Sequence, residues 1–380
     1  VRNVVVVAEG RMTWGYSRPV IRAIQAAPDM TYSLVVTNQH LLPSFGYSVE
    51  EIEADGIEIS DRIYNTLDGY TTATMSKSLA VFMLSFTDTL VRLRPDIVLV
   101  VGDRGEHLMA AIAAAHMNIP VAHIQAGERS GNIDGLTRHA IARFTHIHFA
   151  SGPDAAERLL RSGEEEHRIH MTGAPQLDEL VNGDYAPREE IAALFDVAPD
   201  EPLLLVVQHP VTEEFGDGTR QMEETLEAVC ELAHPTVLIF PNNDAGSDDV
   251  RLMIERYHRP FMRIERNLQR RVYAGLMRSA SALVGNSSSG LIEAPAFDLP
   301  AVNVGGRQRD RARGPNVIDV DYDRHQIADA VRQAIRPEFR EHIRGSESPY
   351  LCDGRVSQRI VEILRTVPLD DRLIRKQLAY

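Results

Sequence analysis

Short apolar runs alternate with helical patterns along the chain, and the alternation restarts near residue 200. This repetition limits the fold more than any other feature, because strand–helix alternation builds parallel sheets with helices on both faces. In the first block, Val4-Val5-Val6-Val7 reads as a strand, followed by a helical segment at 17–26 and a strand candidate at 32–36. Met75, Leu79, Met83, Phe86 and Leu90 recur every three or four residues, so 72–93 is predicted as an amphipathic helix ended by Pro95. Further strands are expected at 97–101, 120–124 and 146–150, with an alanine-rich helix at 106–117. After Gly183-Asp184-Tyr185-Ala186-Pro187 come strand candidates at 203–207, 236–240 and 282–284, and helical patterns at 219–232 and 268–277. A chain of 380 residues is long enough for two cores. The reading is therefore an α/β chain of two Rossmann-like domains facing a cleft, 1–180 and 181–356. A C-terminal helix near 357–365, within the segment 357–380, is expected to cross back to the first domain.

Parallel sheets bind ligands beyond the carboxyl ends of their strands, and that is where the polar residues cluster. Gly102-Asp103-Arg104, Gln125-Ala126-Gly127-Glu128, Gln208-His209-Pro210 and Asn242-Asn243-Asp244 each follow a predicted strand. A fifth strand end carries Gly285-Asn286-Ser287-Ser288-Ser289-Gly290-Leu291-Ile292-Glu293. A helix is expected to open at Leu291 to Ala294, which would leave free N–H groups, three serine hydroxyls and a positive dipole end for a phosphate. Glu293, placed in its first turn, could accept hydrogen bonds from ribose hydroxyls. Arg11 and Arg18 near the first strand, and Arg307, Arg309, Arg311 and Arg313 in the second block, are the candidate phosphate forks. Read locally, each of these features also suits a capped helix or a solvated loop.

The net charge of −14 argues against a broad nucleic-acid or anionic-membrane surface. Cys230 and Cys352 are the only cysteines, which fits a reducing cytoplasm and excludes a disulfide framework. The apolar run at 4–8 is too short for a signal peptide or membrane span. Fourteen histidines include no HExxH spacing, and Walker A, complete GxGxxG and GxSxG motifs are absent. No metal and no cofactor are expected.

Five segments occur in an order that resembles the hydrolysing UDP-N-acetylglucosamine 2-epimerases, especially the branch serving sialic and related nonulosonic acid synthesis. They are Gly102-Asp103-Arg104 with Glu106, and His123-Ile124 with Gly127-Glu128. Next come Ile133-Asp134 with Arg138-His139-Ala140-Ile141, and the serine turn at 285–293. The last is Arg307-Gln308 with Val317-Ile318-Asp319-Val320. The likeness covers nearly the whole chain. It implies a glycosyltransferase-B-like fold, a homodimer, and metal-free release of UDP and N-acetylmannosamine from UDP-N-acetylglucosamine. A base removes the sugar C2 proton, the nucleotide leaves C1, and the glycal is hydrated and reprotonated on the other face.

Such chemistry requires a carboxylate made more basic by burial, positive charge and N–H donors for the departing diphosphate, and a second acid or base. By the resemblance, Asp103, Glu128, Asp134 and His209 are the catalytic candidates. Arg11, Arg18, Arg104, His139, Asn242, Ser287, Ser288, Ser289, Gly290, Glu293 and Arg307 would bind the nucleotide sugar. Three positions depart from the family pattern: Gln125 stands where many members have Glu, Thr13 replaces a Glu near Arg11, and Gly306 replaces the Asp before Arg307. UDP-N-acetylglucosamine is the first expected substrate, with UDP-diacetylbacillosamine-type and GDP-linked sugars beside it. The alternatives are hydrolysis without epimerisation, a glycosyltransferase of the same fold, and a non-catalytic nucleotide-sugar sensor.

Overall fold

The computed structural model describes residues 1–198 and 201–379; residues 199, 200 and 380, which fall within the expected 181–356 and 357–380 segments, lie outside the described residues. Two parallel sheets organise the chain. The first contains β1 (Arg2–Ala8), β2 (Met30–Thr37), β3 (Ile59–Ile63), β4 (Ile97–Val101), β5 (Val121–Ile124), β6 (Ile147–Ala150) and β7 (Ile169–Met171). The second contains β8 (Leu204–Val207), β9 (Thr236–Ile239), β10 (Met262–Glu265), β11 (Ala282–Gly285), β12 (Ala301–Val304) and β13 (Val317–Val320). Their orders are β3-β2-β1-β4-β5-β6-β7 and β10-β9-β8-β11-β12-β13. The order therefore reverses between β1 and β4 in one sheet and between β8 and β11 in the other, and ligands sit at such switch points.

Each central strand is buried on both faces, which is why it reads as a continuous apolar run. Val4, Val6 and Ala8 of β1 join one core and Val5 and Val7 the opposite one. Leu204 and Val206 of β8 divide from Leu205 and Val207 in the same way. The predicted helix at 72–93 is found as Thr72–Leu93, capped by the Thr71 hydroxyl accepting from the Thr74 N–H. The C-terminal helix Val356–Thr366 returns to the first sheet, where Val356, Ile360, Val361 and Leu364 join the core beneath β1. Arg2 fastens that return through the Val367 carbonyl at 3.0 Å.

Five strands, β3, β7, β10, β12 and β13, lie outside the expected set, and two helices differ from expectation. The first helix begins at Arg11, well before 17, and runs through Pro19 to Gln25. Its buried face, with Trp14, Ile21 and Ile24 in the core, offsets the hydrogen bond that Pro19 removes. The helix expected at Leu291 to Ala294 is a four-residue turn, Ser289–Ile292, with Glu293 at its C-terminal cap, and Pro295 lies in the 3₁₀ turn that follows. A single turn carries little macrodipole, so side chains must supply most of the anion attraction at this strand end. Among the described residues no helix is long and apolar enough to cross a membrane.

Candidate active site

The two switch points face each other across a cavity. Residues after β1 (Glu9, Gly10, Arg11), β8 (His209), β9 (Asn242) and β11 (Ser287, Ser288, Ser289) line it, together with Tyr273, Glu293, Arg104 and Arg307. A second cavity adjoins it and shares Arg104. Asp103, Asp134, Glu106, Asn38 and Asn243 give this second space a polar side, and Leu67, Met75, Leu79 and Ile133 an apolar one.

The backbone at β11 is held by close contact. Gly285 has φ +127°, and a Cβ there would stand 2.2 Å from the Val207 carbonyl oxygen, so only glycine lets β11 turn beside β8. The next residue, Asn286, clamps the His209 loop: its Oδ1 accepts the His209 N–H at 2.7 Å and its Nδ2 donates to the His209 carbonyl at 2.9 Å. His209 Nδ1 accepts the Asn242 N–H at 3.0 Å, so the neutral ring carries its proton on Nε2. Burial, then the charges of Arg307, Arg11 and Arg104, hold this histidine well below its ordinary pKa. Asn242 also donates to Asp244 at 2.6 Å, and Asp244 accepts both arms of the Arg104 fork, one at 3.0 Å.

Four arginines of the site have carboxylate partners: Arg104 with Asp244, Arg138 with Asp103, Arg307 with Asp134 at 3.1 Å and Arg311 with Glu128 at 2.5 Å. Arg11 has none among the described residues. Its guanidinium donates to the carbonyls of Arg266, at 3.0 Å, and Phe240, and burial lowers its pKa to about 10. A half-buried cation that lines a cavity and has no carboxylate partner among the described residues can still take an anion.

The carboxylates are driven apart. Burial, reinforced by the charge of Asp103, raises Asp134 to about 6, against the opposing pull of Arg307 and Arg104. Asp103 also feels burial, but Arg138, Arg311, Arg104 and Arg307 outweigh it and hold the carboxyl below its usual range. Glu9 is raised to about 8 by burial, with Arg104 opposing and Glu106, Asp244 and Asp103 adding to the rise. Gly131 brings the two halves into contact. Its N–H donates to the Arg307 carbonyl at 2.9 Å, and a Cβ there would lie 2.3 Å from the Gly306 oxygen.

Several expected site residues lie elsewhere. Arg18 is buried in an ion cluster with Asp55 at 2.6 Å, Asp184 at 3.0 Å and Glu179, which ties the first helix to the segment between the sheets rather than to either cavity. His139 is half-buried and lines neither cavity; its neighbour Arg138, 1 % exposed, holds Asp103 instead. Gly290 faces Ala301 and Leu283, a packing contact. Glu128 lies outside both cavities, gripped by Arg311 and by the Ser151 hydroxyl at 2.6 Å. Gln125 touches the same carboxylate at 3.5 Å. Glu293 lines the first cavity but pairs with Arg270 at 2.5 Å, and Ser289 bonds the Tyr273 hydroxyl at 2.6 Å. Arg270, Tyr273 and Glu9 escape the sequence reading of the site; Arg311, a candidate phosphate fork, instead holds Glu128, and Arg138, read only as the neighbour of His139, holds Asp103. Among the described residues no group of three or more His, Cys, Asp or Glu is arranged for a metal ion.

Two facing parallel sheets with an arginine-lined cavity at their switch points define a glycosyltransferase-B-like protein. The superposition agrees: a crystal structure of UDP-GlcNAc 2-epimerase from Neisseria meningitidis bound to UDP-GlcNAc matches with a TM-score of 0.79 at 22% identity, over 95% of this chain and 99% of that one. A Methanocaldococcus jannaschii UDP-GlcNAc 2-epimerase in complex with UDP-GlcNAc and UDP matches at 0.77 and 20%, over 95% and 99%. The profile of the UDP-N-acetylglucosamine 2-epimerase family matches residues 22–365, and the chain belongs to that family. It is 36% identical, over 100% of both chains, to the UDP-N,N'-diacetylbacillosamine 2-epimerase (hydrolyzing) of Legionella pneumophila. It is 30% identical, over 97% of both, to the GDP/UDP-N,N'-diacetylbacillosamine 2-epimerase (hydrolyzing) of Campylobacter jejuni.

Proposed function

We propose that the protein is a hydrolysing 2-epimerase that releases a nucleoside diphosphate from a UDP-linked 2-acetamido sugar and inverts C2. The observation that carries the reading is that Arg307, from the second half, lines the first cavity beside Arg11, a cation with no carboxylate partner among the described residues, and also reaches Asp134, a carboxyl of raised basicity in the second cavity. The nucleotide occupies the first cavity, with ribose near Glu293 and phosphates among Arg11, Arg307, His209, Ser287 and Ser288. Ribose hydroxyls compete with Arg270 for Glu293. The sugar occupies the second cavity.

Asp134 takes the C2 proton, and the electron pair forms the C1–C2 double bond as the diphosphate leaves C1. Arg11, Arg307 and the Nε2–H of His209 stabilise the charge that grows on the phosphate. Asp103 is a fixed negative charge whose presence keeps Asp134 basic. Water then adds to the glycal at C1, and C2 is protonated on the opposite face. Asp103, held ionised in the same cavity as Asp134, takes a proton from the adding water and passes it to C2, and Asp134 returns its own proton to solvent. Gln125 supplies no proton here and instead helps hold Glu128.

The apolar side of the second cavity suits a sugar that carries a second acylamino group in place of a hydroxyl, which favours a diacetylated substrate over N-acetylglucosamine. The names of the Legionella and Campylobacter relatives support the same choice. We place the division between the two units near residue 180, with the C-terminal helix on the first, the protein in the cytoplasm, and its product in nonulosonic acid synthesis. We also propose a homodimer, which light scattering tests. Turnover against a panel of UDP- and GDP-linked N-acetylglucosamine and N,N'-diacetylbacillosamine tests the substrate. Release of UDP from the diacetylated sugar with the higher kcat/KM is expected; turnover only with an added sugar acceptor would replace the reading with a transferase.

A further inference from the structure

Besides Asp134, four carboxyl groups surround Arg104: Glu9 just after β1, Asp103 in the turn before Arg104, Glu106 in the helix Gly105–His116, and Asp244 in the loop after β9. Three of them have their hydrogen bonds filled. Asp244 takes the Arg104 fork and Asn242, Asp103 takes Arg138, and Glu106 accepts from Asn38 at 2.6 Å and Asn65 at 3.2 Å. Glu9 differs. Its carboxyl makes no hydrogen bond among the described residues; the nearest charge is Arg104 Nε at 3.8 Å. Yet Glu9 is only 3 % exposed and lines the nucleotide cavity. Its backbone is committed, with its carbonyl accepting the His40 N–H and its N–H facing the Thr13 hydroxyl, so the side chain cannot swing away freely. The only space left for its carboxyl to find a partner is the cavity itself.

Arg104 is also the residue that both cavities share. The carboxyl beside it therefore stands where the sugar and the diphosphate join. We propose that Glu9 is the general acid of the elimination, delivering a proton to the β-phosphate oxygen as its bond to C1 breaks. This rests on the 2-epimerase reading above. Asp134 takes the C2 proton, the C2–H electron pair becomes the C1–C2 double bond, and the C1–O pair passes to the phosphate oxygen, which takes the Glu9 proton. Glu9 is left as a carboxylate and regains its proton from water after the nucleotide leaves.

The surroundings keep that proton in place at neutral pH. Burial raises the Glu9 carboxyl to about 8, with Arg104 opposing and the charges of Glu106, Asp244 and Asp103 reinforcing the rise. His40, which packs behind this turn, is held neutral by burial, at about 3, and adds no charge. His209, the other donor near the phosphate, is a neutral ring that offers a hydrogen bond but holds no readily transferable proton.

The test is the pH dependence of kcat for the wild-type protein, Glu9→Gln and Glu9→Ala, paired with UDP binding calorimetry in buffers of different ionisation enthalpy. The wild-type rate is expected to fall as pH rises through about 8. Glu9→Gln should lose about 100-fold in kcat and lose that alkaline limb, while still binding UDP. At about pH 9, UDP binding should draw a proton onto the wild-type protein and none onto Glu9→Gln. An alkaline limb that survives in Glu9→Gln, or equal proton uptake by both proteins, overturns the proposal. UDP binding with proton uptake, but no turnover of any nucleotide sugar, would instead sink the epimerase reading and leave Glu9 as a phosphate-side donor without an acid role.

Discussion

Arg307 reaches from the second sheet to Asp134 on the first, its Nη2 donating to Oδ2 at 3.1 Å, while Arg307 also lines the nucleotide cavity. One guanidinium therefore touches the carboxyl assigned to the sugar and the space assigned to the diphosphate. The half assigned to acid–base chemistry and the half assigned to the leaving group are thus linked by Arg307 as well as by Arg104.

Asp134 must be ionised to act as a base, so kcat/KM should rise as pH increases through about 6. Asp134→Asn should lower kcat by about 100-fold or more and leave UDP affinity nearly unchanged. Steady-state rates from acid to neutral pH, with UDP titration of the variant, check both parts.

Asp103 raises Asp134 through its charge. Asp103→Asn should therefore shift the acid limb to lower pH, reduce turnover far more than UDP affinity, and leave Arg138 buried without its partner. Breaking such a pair costs about 3–5 kcal/mol, so a lower melting temperature should accompany the shift. A fall in stability with the acid limb unmoved would reduce Asp103 to a structural ion-pair partner.

Arg11 is a site cation held by carbonyls, with no carboxylate partner among the described residues. Arg11→Met should weaken UDP binding by about 2 kcal/mol, roughly 30-fold, because a charge-assisted hydrogen bond to phosphate is lost. Arg18→Met, by contrast, should lower thermal stability and leave the kcat of the folded protein unchanged, since its partners are Asp55, Glu179 and Asp184. Calorimetry with UDP separates the two arginines.

The pH dependence of stability has a definite sign at Glu9. Its folded pKa is about 8 against an ordinary 4.5, so the stability it contributes is complete below about 4.5 and is lost as pH rises through about 8. Glu9→Gln should accordingly melt higher than the wild-type protein on the alkaline side of that range and show no such advantage on the acid side. Melting curves across that range provide the check.

The central strands were legible in the sequence because both faces are buried and the side chains are uniformly apolar: Val4 to Val7, Ile97–Val101 and Leu204–Val207 show no alternation to misread. Four of the strands that escaped, β3, β7, β10 and β13, are sheet edges with partly exposed, polar residues such as Asp61, Arg62, His170, Arg263 and Asp319; the fifth, β12, is buried between β11 and β13, but its four residues include Asn303, which breaks the apolar run. Site residues that directly follow a strand were readable for the same reason the strands were. Their partners were not. Asp103 meets Arg138 across 35 positions and Glu128 meets Arg311 across 183, pairings that only the folded topology creates. The serine turn was overread as a helix start because small polar residues cap helices and also line short turns, and Pro295 decides between them.

The measurement that tests the account most directly is turnover of UDP-N,N'-diacetylbacillosamine and UDP-N-acetylglucosamine in D₂O, with the released sugar read by NMR. The account predicts UDP together with a C2-inverted free sugar carrying deuterium at C2. A released sugar of unchanged configuration with hydrogen at C2 would contradict it, since the nucleotide would then have left by hydrolysis without any proton passing through Asp134.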